Sequence, residues 1–511
     1  MTVKGGWTLS RQTWISASII LVTAAAISKG LGFGREILIA NYFGATGSVD
    51  AFAVAYSVPL FVAGGIGFTL STAIVPGYHR IGASEGPQRA ARFLCSAAFA
   101  SFMCSVILLA PLWIAPLSVM KLVAPALPDA TLHLAADLMG WLSLYVLASN
   151  GVYVLTAVFH ARNHFKVPAY GDITFNLATI VILVGYSLPL GIYSLVLGNL
   201  VGSLLCLTIL AGTLLKFAPC RPTLPISGDD MRGLLPLTLP ILGYYVCSQI
   251  GGLVANYFAA TLSEGSVAAL NYARTTTIAI VTLVTMNVSR GIFPTLSMLS
   301  SNQRNVEGRA IVIALGKLLI FIFIPLSIML MLRARELLNV LYVRGVFDAA
   351  ALASTAAVFV FLAATLLVAA LEPVLIRTSY ALADMRTPFM ASLAGAVVLA
   401  ALLSILTPRQ GIGGIGLAMS VALVVQVGIQ TVAISGRLGG SVAGELASMM
   451  VRSLICGMLA IPALVVVPLR GGLGLVAELL LYMACYYGLA LILVREELKA
   501  FLTAVGWNDR P

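Results

Sequence analysis

A chain of 511 residues that is 60% hydrophobic and only 10% charged, with a mean hydropathy of +1.02, cannot turn a polar surface to water on all sides, which excludes a soluble globular protein. Its 30 Lys and Arg against 19 Asp and Glu give a formal net charge of +11. In a membrane chain that excess is a topology signal first and adhesion to anionic lipid second, and it does not describe a nucleic-acid surface.

The composition therefore predicts an all-α polytopic membrane protein. A helix needs roughly 20 apolar residues to cross the hydrocarbon layer, and on that measure about fourteen transmembrane helices are expected. They lie near 14–42, 50–77, 90–115, 131–159, 167–187, 190–215, 233–260, 266–297, 309–332, 350–382, 388–407, 411–435, 447–468 and 472–494. These are continuous apolar runs and not short alternating segments, which disfavours a barrel.

The first span contains "ISKGLGFGREILIANYFG", residues 27–44. Lys4 and Arg11 ahead of an apolar run imitate a signal peptide, but apolar character resumes after Lys29, so an uncleaved helix is expected. Each charge inside a bilayer costs at least about 2.5–3.5 kcal/mol and needs a reason to be there. Arg35 and Glu36 can be read as an interfacial pair with Lys29 snorkelling, or as part of a binding surface. Lys29 lies about 9 Å of helix before Arg35, far from either surface, and Glu36 shares its face seven residues on, so Glu36 is expected to steady Lys29 and leave Arg35 free. Gly30, Gly32 and Gly34 permit close approach of a helix or ligand. Net positive charge beside such a groove suits a phosphate or diphosphate.

Further polar residues fall inside later spans: Asp50 in the second, Asp172 and Asn176 in the fifth, Gln249 and Asn256 in the seventh, Asn271, Arg274 and Asn287 in the eighth, Lys317 in the ninth and Glu372 in the tenth. Glu372 precedes Pro373 and either binds a coupling cation, a role also open to Asp172, or serves the carbonyls that a proline kink sets free. The histidines are scattered and the cysteines show no CxxC spacing, so neither a metal nor a cofactor is expected. "GIGGIG" at 411–416 satisfies GxGxxG with no strand before it and is read as packing glycine.

An internal repeat orders these spans. "ARNHFKVP" ending at Pro168 overlies "ALADMRTP" ending at Pro388, and "STAIVP" ending at Pro76 overlies "SRGIFP" ending at Pro294. Two parallel six-helix lobes follow, 1–215 and 233–438, joined by a cytoplasmic linker at 216–232, with two extra helices and a cytoplasmic tail in 439–511. Parallel lobes around a polar interior are what alternating access requires. About 20 of the Lys and Arg fall in alternate connections if the N-terminus is inside, so both termini are expected in the cytoplasm.

At the residues that carry charge the chain also resembles a family. "SKGLGFGREILIANYFGATGSVDAFAVAYSVP" followed by "IVP" at 74–76, "LNYA" at 270–273, "FPTLS" at 293–297, "LYVRGVFD" at 341–348, "RTSYALADMRTP" at 377–388 and "GIGGIGLAMS" at 411–420 are similar to the MurJ/MviN family. These are the lipid II flippases of the multidrug/oligosaccharidyl-lipid/polysaccharide exporter superfamily. The resemblance implies transport of a polyprenyl-diphosphate-linked glycan to the outer leaflet of the bacterial inner membrane, arginines holding the diphosphate, and a groove in the last two helices for the lipid tail. Lys29 stands where the family has Arg, Arg35 matches its second arginine, and Asp50 matches the Asp that opens the second helix. The stretch "VPLFVAGGIGFTLS" around Pro59 carries no arginine, where the family usually has one shortly after its proline, and the arginine of the family's eighth helix falls on Thr275, one residue after Arg274.

The expected diphosphate ligands are thus Lys29, Arg35 and Arg274, supported by Glu36, Asp50, Asn256 and Thr275. Candidate gate residues are Arg344 and Asp348 at the outer surface, paired between lobes, and Arg377, Asp384 and Arg386 on the cytoplasmic side. Lipid II and an exopolysaccharide repeat unit compete as cargo. A cation-coupled drug exporter and a membrane glycosyltransferase are the weaker alternatives. The expected partners are the lipid-linked glycan, membrane lipid and glycan synthases or polymerases, with no nucleic acid, and the protein is expected to be a monomer. Glu478 in the last span has Arg452 or the lobe surface as alternative neighbours.

Overall fold

The computed structural model describes residues 11–162, 164, 166–217, 228–301, 305–382, 384–440, 442–466 and 472–493. Most of the expected linker, the side chain of Asn287 and the tail beyond residue 493 lie outside the described residues. Every regular element among them is helical. In chain order they are α1 (Arg11–Phe43), α2 (Gly47–Pro59), a π-helical turn (Leu60–Gly64), α3 (Gly65–Glu85), α4 (Pro87–Ile114), α5 (Pro116–Val123), α6 (Asp129–Ala161), α7 (Lys166–Leu190), α8 (Tyr193–Phe217) and α9 (Gly228–Ala260). There follow α10 (Ser266–Ser301), α11 (Asn305–Leu332), α12 (Ala334–Tyr342), α13 (Ala349–Ala364), α14 (Leu366–Ala381), α15 (Arg386–Leu438), α16 (Val442–Ala460), α17 (Ala463–Val466) and α18 (Gly472–Leu493).

Nine of the described helices are long and apolar enough to cross a membrane, or ten if α13 and α14, bent by 55°, form one span. α15 is two helices set end to end, broken at Gly411 (φ 58°), where the sequence places the boundary between two spans. α1, α9 and α10, of 33, 33 and 36 residues, carry the polar residues of greatest interest. Apolar side chains such as Leu188 (94% exposed) and Leu473 (88% exposed) point away from the protein and are suited to lipid, since the bilayer and not the core solvates them.

The repeat extends through the helix boundaries. α1 and α9 lie 217 residues apart at both ends, α4 and α11 218, and α6 and the α13–α14 pair 220. The breaks at Gly191 and Gly411 are also 220 residues apart. Similar spacing of apolar runs and of Pro and Gly breakers yields helices of similar length in both halves.

The chain divides into two compact units. Unit 1 comprises 1–38, 62–116 and 137–238, and unit 2 comprises 39–61, 117–136 and 239–511, so the division falls within α1, the π-helical turn, α5, α6 and α9. In unit 1, Phe93 and Leu94 of α4, Val158 and Phe159 of α6 and Leu210 of α8 form one apolar core. α7 and α8 pack through small residues: a side chain at Gly202 would meet the Phe175 carbonyl at 2.8 Å, and Thr179 Oγ1 donates to the Gly198 carbonyl (3.1 Å). Small residues let membrane helices approach until dispersion and interhelical hydrogen bonds hold them.

In unit 2, α11 is the mast on which the last helices hang. Glu445 of α16 receives Arg309 (3.0 Å) and Lys317 (3.5 Å). Lys317, expected among the interior cations, instead neutralises a carboxylate of the neighbouring helix. At the opposite end of α11, Arg333 Nε lies 2.9 Å from Glu478 of α18 and Arg333 Nη2 donates to the Leu464 carbonyl (2.8 Å). Glu478 therefore pairs with Arg333, a residue the sequence had not put forward, because α12 follows α11 closely and brings the guanidinium back over α18.

Candidate substrate-binding site

Unit 1 holds the charged part of α1. Lys29 is exposed. Arg35 Nη2 lies 2.9 Å from Glu36 Oε1, with both side chains about one-fifth exposed, and its guanidinium carbon stands 6.0 Å from the centroid of Phe175 on α7. The expectation that Glu36 steadies Lys29 is corrected. Two helical turns separate that pair by about 10 Å of rise, whereas the adjacent guanidinium reaches the carboxylate directly. Asn176 of α7 ties the helices together: its Nδ2 donates to the Ser28 carbonyl (3.3 Å), Ser28 Oγ (3.2 Å) and the Asp172 carbonyl (3.0 Å). Gly32 faces Asn176, where an added Cβ would sit 3.4 Å from Oδ1. The Asp172 side chain is exposed.

Directly after Pro59 the chain forms the π-helical turn Leu60–Gly64. Pro59 lacks an N–H and loosens the helical ladder. The Ala63 carbonyl accepts from Asn150 Nδ2 (2.8 Å), which also donates to Ser105 Oγ (2.9 Å). In unit 2 the Leu60 carbonyl accepts from Tyr245 OH (2.9 Å). Asn150 and Tyr245 were invisible as partners because nothing in the local sequence announces a π-helical turn.

Unit 2 holds the second cationic element. Arg274 of α10 is half-buried and packs on Gly252 of α9, where an added Cβ would lie 3.4 Å from Arg274 Nη2. Among the described residues it has no hydrogen-bonded partner and no counter-ion. Asn256, one turn beyond Gly252 on the same face of α9, is 4% exposed, and among the described residues its Oδ1 accepts no hydrogen bond. Thr275 is half-buried, and the next residue, Thr276, bonds Tyr342 OH (2.8 Å). A guanidinium and an amide oxygen, both unsatisfied within a bundle, are costly unless a ligand or water completes them.

Glu372 sits in the bent α13–α14 pair. Its Oε1 accepts from Gln426 Nε2 (2.6 Å) and Tyr244 OH (3.2 Å), both neutral donors, and among the described residues no basic side chain pairs with it. Asp384 caps α15, accepting from the backbone N–H of Arg386 and of Thr387 (3.1 Å each), and pairs with Arg437 (3.0 Å). Arg386 is exposed and Arg377 half-buried. Asp348 caps α13 through Ala351 N–H (2.8 Å), and Arg344 donates to the Val340 carbonyl (2.6 Å). These two gate candidates thus serve their own helix ends, and among the described residues neither forms an ion pair. Asp50 is 3% exposed and bonds the start of α10: Gly265 N–H and Ala268 N–H donate to its two carboxylate oxygens (2.7 Å each).

A polytopic chain whose described elements are all helical, repeated along its length and carrying polar groups inside its helices, has the build of a membrane transporter. The model of the family described as "Lipid II flippase MurJ" matches residues 39–483, and the chain belongs to that family. A probable lipid II flippase MurJ of Aquifex aeolicus is 27% identical over 343 residues, 65% of each chain. One of Bdellovibrio bacteriovorus is 24% identical over 523 aligned positions, 96% of each chain. Among solved structures, a lipid II flippase MurJ in an inward closed conformation superposes with a TM-score of 0.80 at 21% identity, covering 94% of this chain and 100% of that one. An inward-facing multidrug-resistance MATE transporter gives 0.66 at 16% identity, covering 82% and 98%.

Proposed function

We propose that this protein is a lipid II flippase of the bacterial inner membrane, a multi-pass transporter serving peptidoglycan synthesis. Family membership carries the substrate class. The observation that carries the site is Arg274, an interior guanidinium with no counter-ion among the described residues, seated where glycine opens the facing helix. It is the primary diphosphate anchor, since Arg presents a fork of donors matched to phosphate oxygens. Asn256 and Thr275 flank it, and Arg35 and Lys29 add charge from α1.

Transport follows alternating access by two lobes, 1–215 and 233–438, with the final helices of 439–511 receiving the polyprenyl tail and both termini in the cytoplasm. The diphosphate head carries negative charge outward, which a membrane potential negative inside favours by roughly 2.3 kcal/mol per charge per 100 mV. Glu372, which pairs with no basic side chain among the described residues, and Asp172 are the candidate cation-coupling groups. Asp384, Arg386 and Arg377 form the cytoplasmic gate, while Arg344 and Asp348 stiffen the outer loop. The transporter acts as a monomer and exchanges cargo with glycan synthases and polymerases.

The test replaces an essential lipid II flippase by this chain and scores growth and lipid II exposed on the outer leaflet, with Arg274→Met beside the wild type. Rescue by the wild type and its loss in the variant are expected. A chain that reaches the membrane and restores neither growth nor exposed lipid II overturns the reading.

A further inference from the structure

The start of α2 and the start of α10 cap one another. Gly47 N–H, at the first residue of α2, donates to Glu264 Oε1 (2.8 Å), and Glu264 lies just ahead of α10. Reciprocally, Gly265 N–H and Ala268 N–H at the start of α10 donate to Asp50 in the first turn of α2 (2.7 Å each). Gly47 and Gly265 are 218 residues apart in sequence, the same displacement that relates α4 to α11. Equivalent N–H groups of the two halves are therefore satisfied by each other's carboxylates. The elbow between α1 and α2 is held at further points: Tyr272 OH donates to the Gly44 carbonyl (2.7 Å), and Val346 N–H to the Asn41 carbonyl (3.0 Å). All these residues belong to unit 2. Gly265 has φ +84°, and a side chain there would run into the Ala45 carbonyl, so only glycine permits so close an approach.

A helix start leaves four N–H groups without intrahelical partners, and a carboxylate placed there also meets the positive end of the helix dipole. Because each carboxylate belongs to the helix start that the other one caps, parting the elbow from the hairpin of α9 and α10 exposes both sets of donors together. We propose that Asp50 and Glu264 are positioning residues of a single cooperative latch, which fastens the α1–α2 elbow to the α9–α10 hairpin and must release as a unit for the transporter to open on that side. This rests on the alternating-access reading above.

Hydrogen exchange of the full-length protein in lipid nanodiscs tests it without substrate. Glu264→Ala removes only the acceptor for Gly47, yet the latch predicts at least fivefold faster exchange at Gly265 and Ala268 as well, whose own acceptor is intact. Asp50→Asn should likewise speed exchange at Gly47. The segment around Ala351, capped by Asp348, is the unchanged control. If each variant deprotects only the groups it caps, the latch is overturned. A second arm uses Gly47→Cys/Glu264→Cys, two positions already joined by the bond from Gly47 N–H to Glu264 Oε1 (2.8 Å), with disulfide formation scored on a non-reducing gel before flipping is read. Cross-linked protein should lose flipping and regain it with reductant, and full flipping by the cross-linked fraction refutes a latch that must open. A chain that moves another lipid would still show coupled exchange, so failure of the lipid II reading is distinguishable from failure of the latch.

Discussion

The two cationic elements are predicted to contribute unequally to substrate binding. Arg35 already shares its charge with Glu36 at 2.9 Å, whereas Arg274 has no counter-ion among the described residues. Losing a hydrogen-bonding group that meets a charged partner costs about 1.5–3 kcal/mol, so Arg274→Met should weaken binding of lipid II by about 10- to 150-fold. Arg35→Met removes one cation and also strands Glu36, whose repulsion of a phosphate, taken at about 6 Å, would be worth roughly 2–3 kcal/mol at an effective dielectric near 20. The variant Arg35→Met/Glu36→Gln keeps the net charge of the wild type and should lose no more than about 1 kcal/mol, or about fivefold. Titration of purified protein with a fluorescent lipid II at fixed ionic strength reads all three. If the double variant binds as poorly as Arg35→Met, or Arg274→Met binds as well as wild type, the reasoning from unequal neutralisation is wrong.

Three other outcomes follow from single contacts. Asn150→Ala strands the Ala63 carbonyl at the π-helical turn and should lower stability by about 1–3 kcal/mol, visible as a reduced Tm in detergent. Glu478→Leu should destabilise the docking of α18 by removing the carboxylate through which α18 holds Arg333 (2.9 Å), leaving that guanidinium, among the described residues, only the carboxylate of Glu336 three residues on (3.3 Å). Arg333→Met/Glu478→Leu should recover much of that loss, since replacing both members of a partly buried pair by apolar groups is often neutral; additive losses in the thermal cycle would count against the pair. Glu372→Gln retains an oxygen able to accept from Tyr244 and Gln426, so the Tm should hold while any dependence of flipping on a coupling cation disappears; a collapse in Tm would assign Glu372 to structure alone.

Composition and periodicity were sufficient for the membrane class and for most helix boundaries, because burying an unpaired backbone in lipid is so costly that long apolar runs have few alternatives to a helix. The repeat was legible for a similar reason, in breakers such as Gly191 and Gly411 that recur at one spacing. The candidate site residues, Arg35 and Arg274 among them, stood out in the sequence because charges rarely enter a span without a use. What they touch was decided only by tertiary structure. Glu36 turned to Arg35 and not Lys29, Lys317 to Glu445, and Glu478 to Arg333. Asp50 proved to cap a helix that begins more than two hundred residues later. Helical spacing lists the residues that share a face, but the partner of a charge is set by which helix packs against that face, and that choice belongs to the whole bundle.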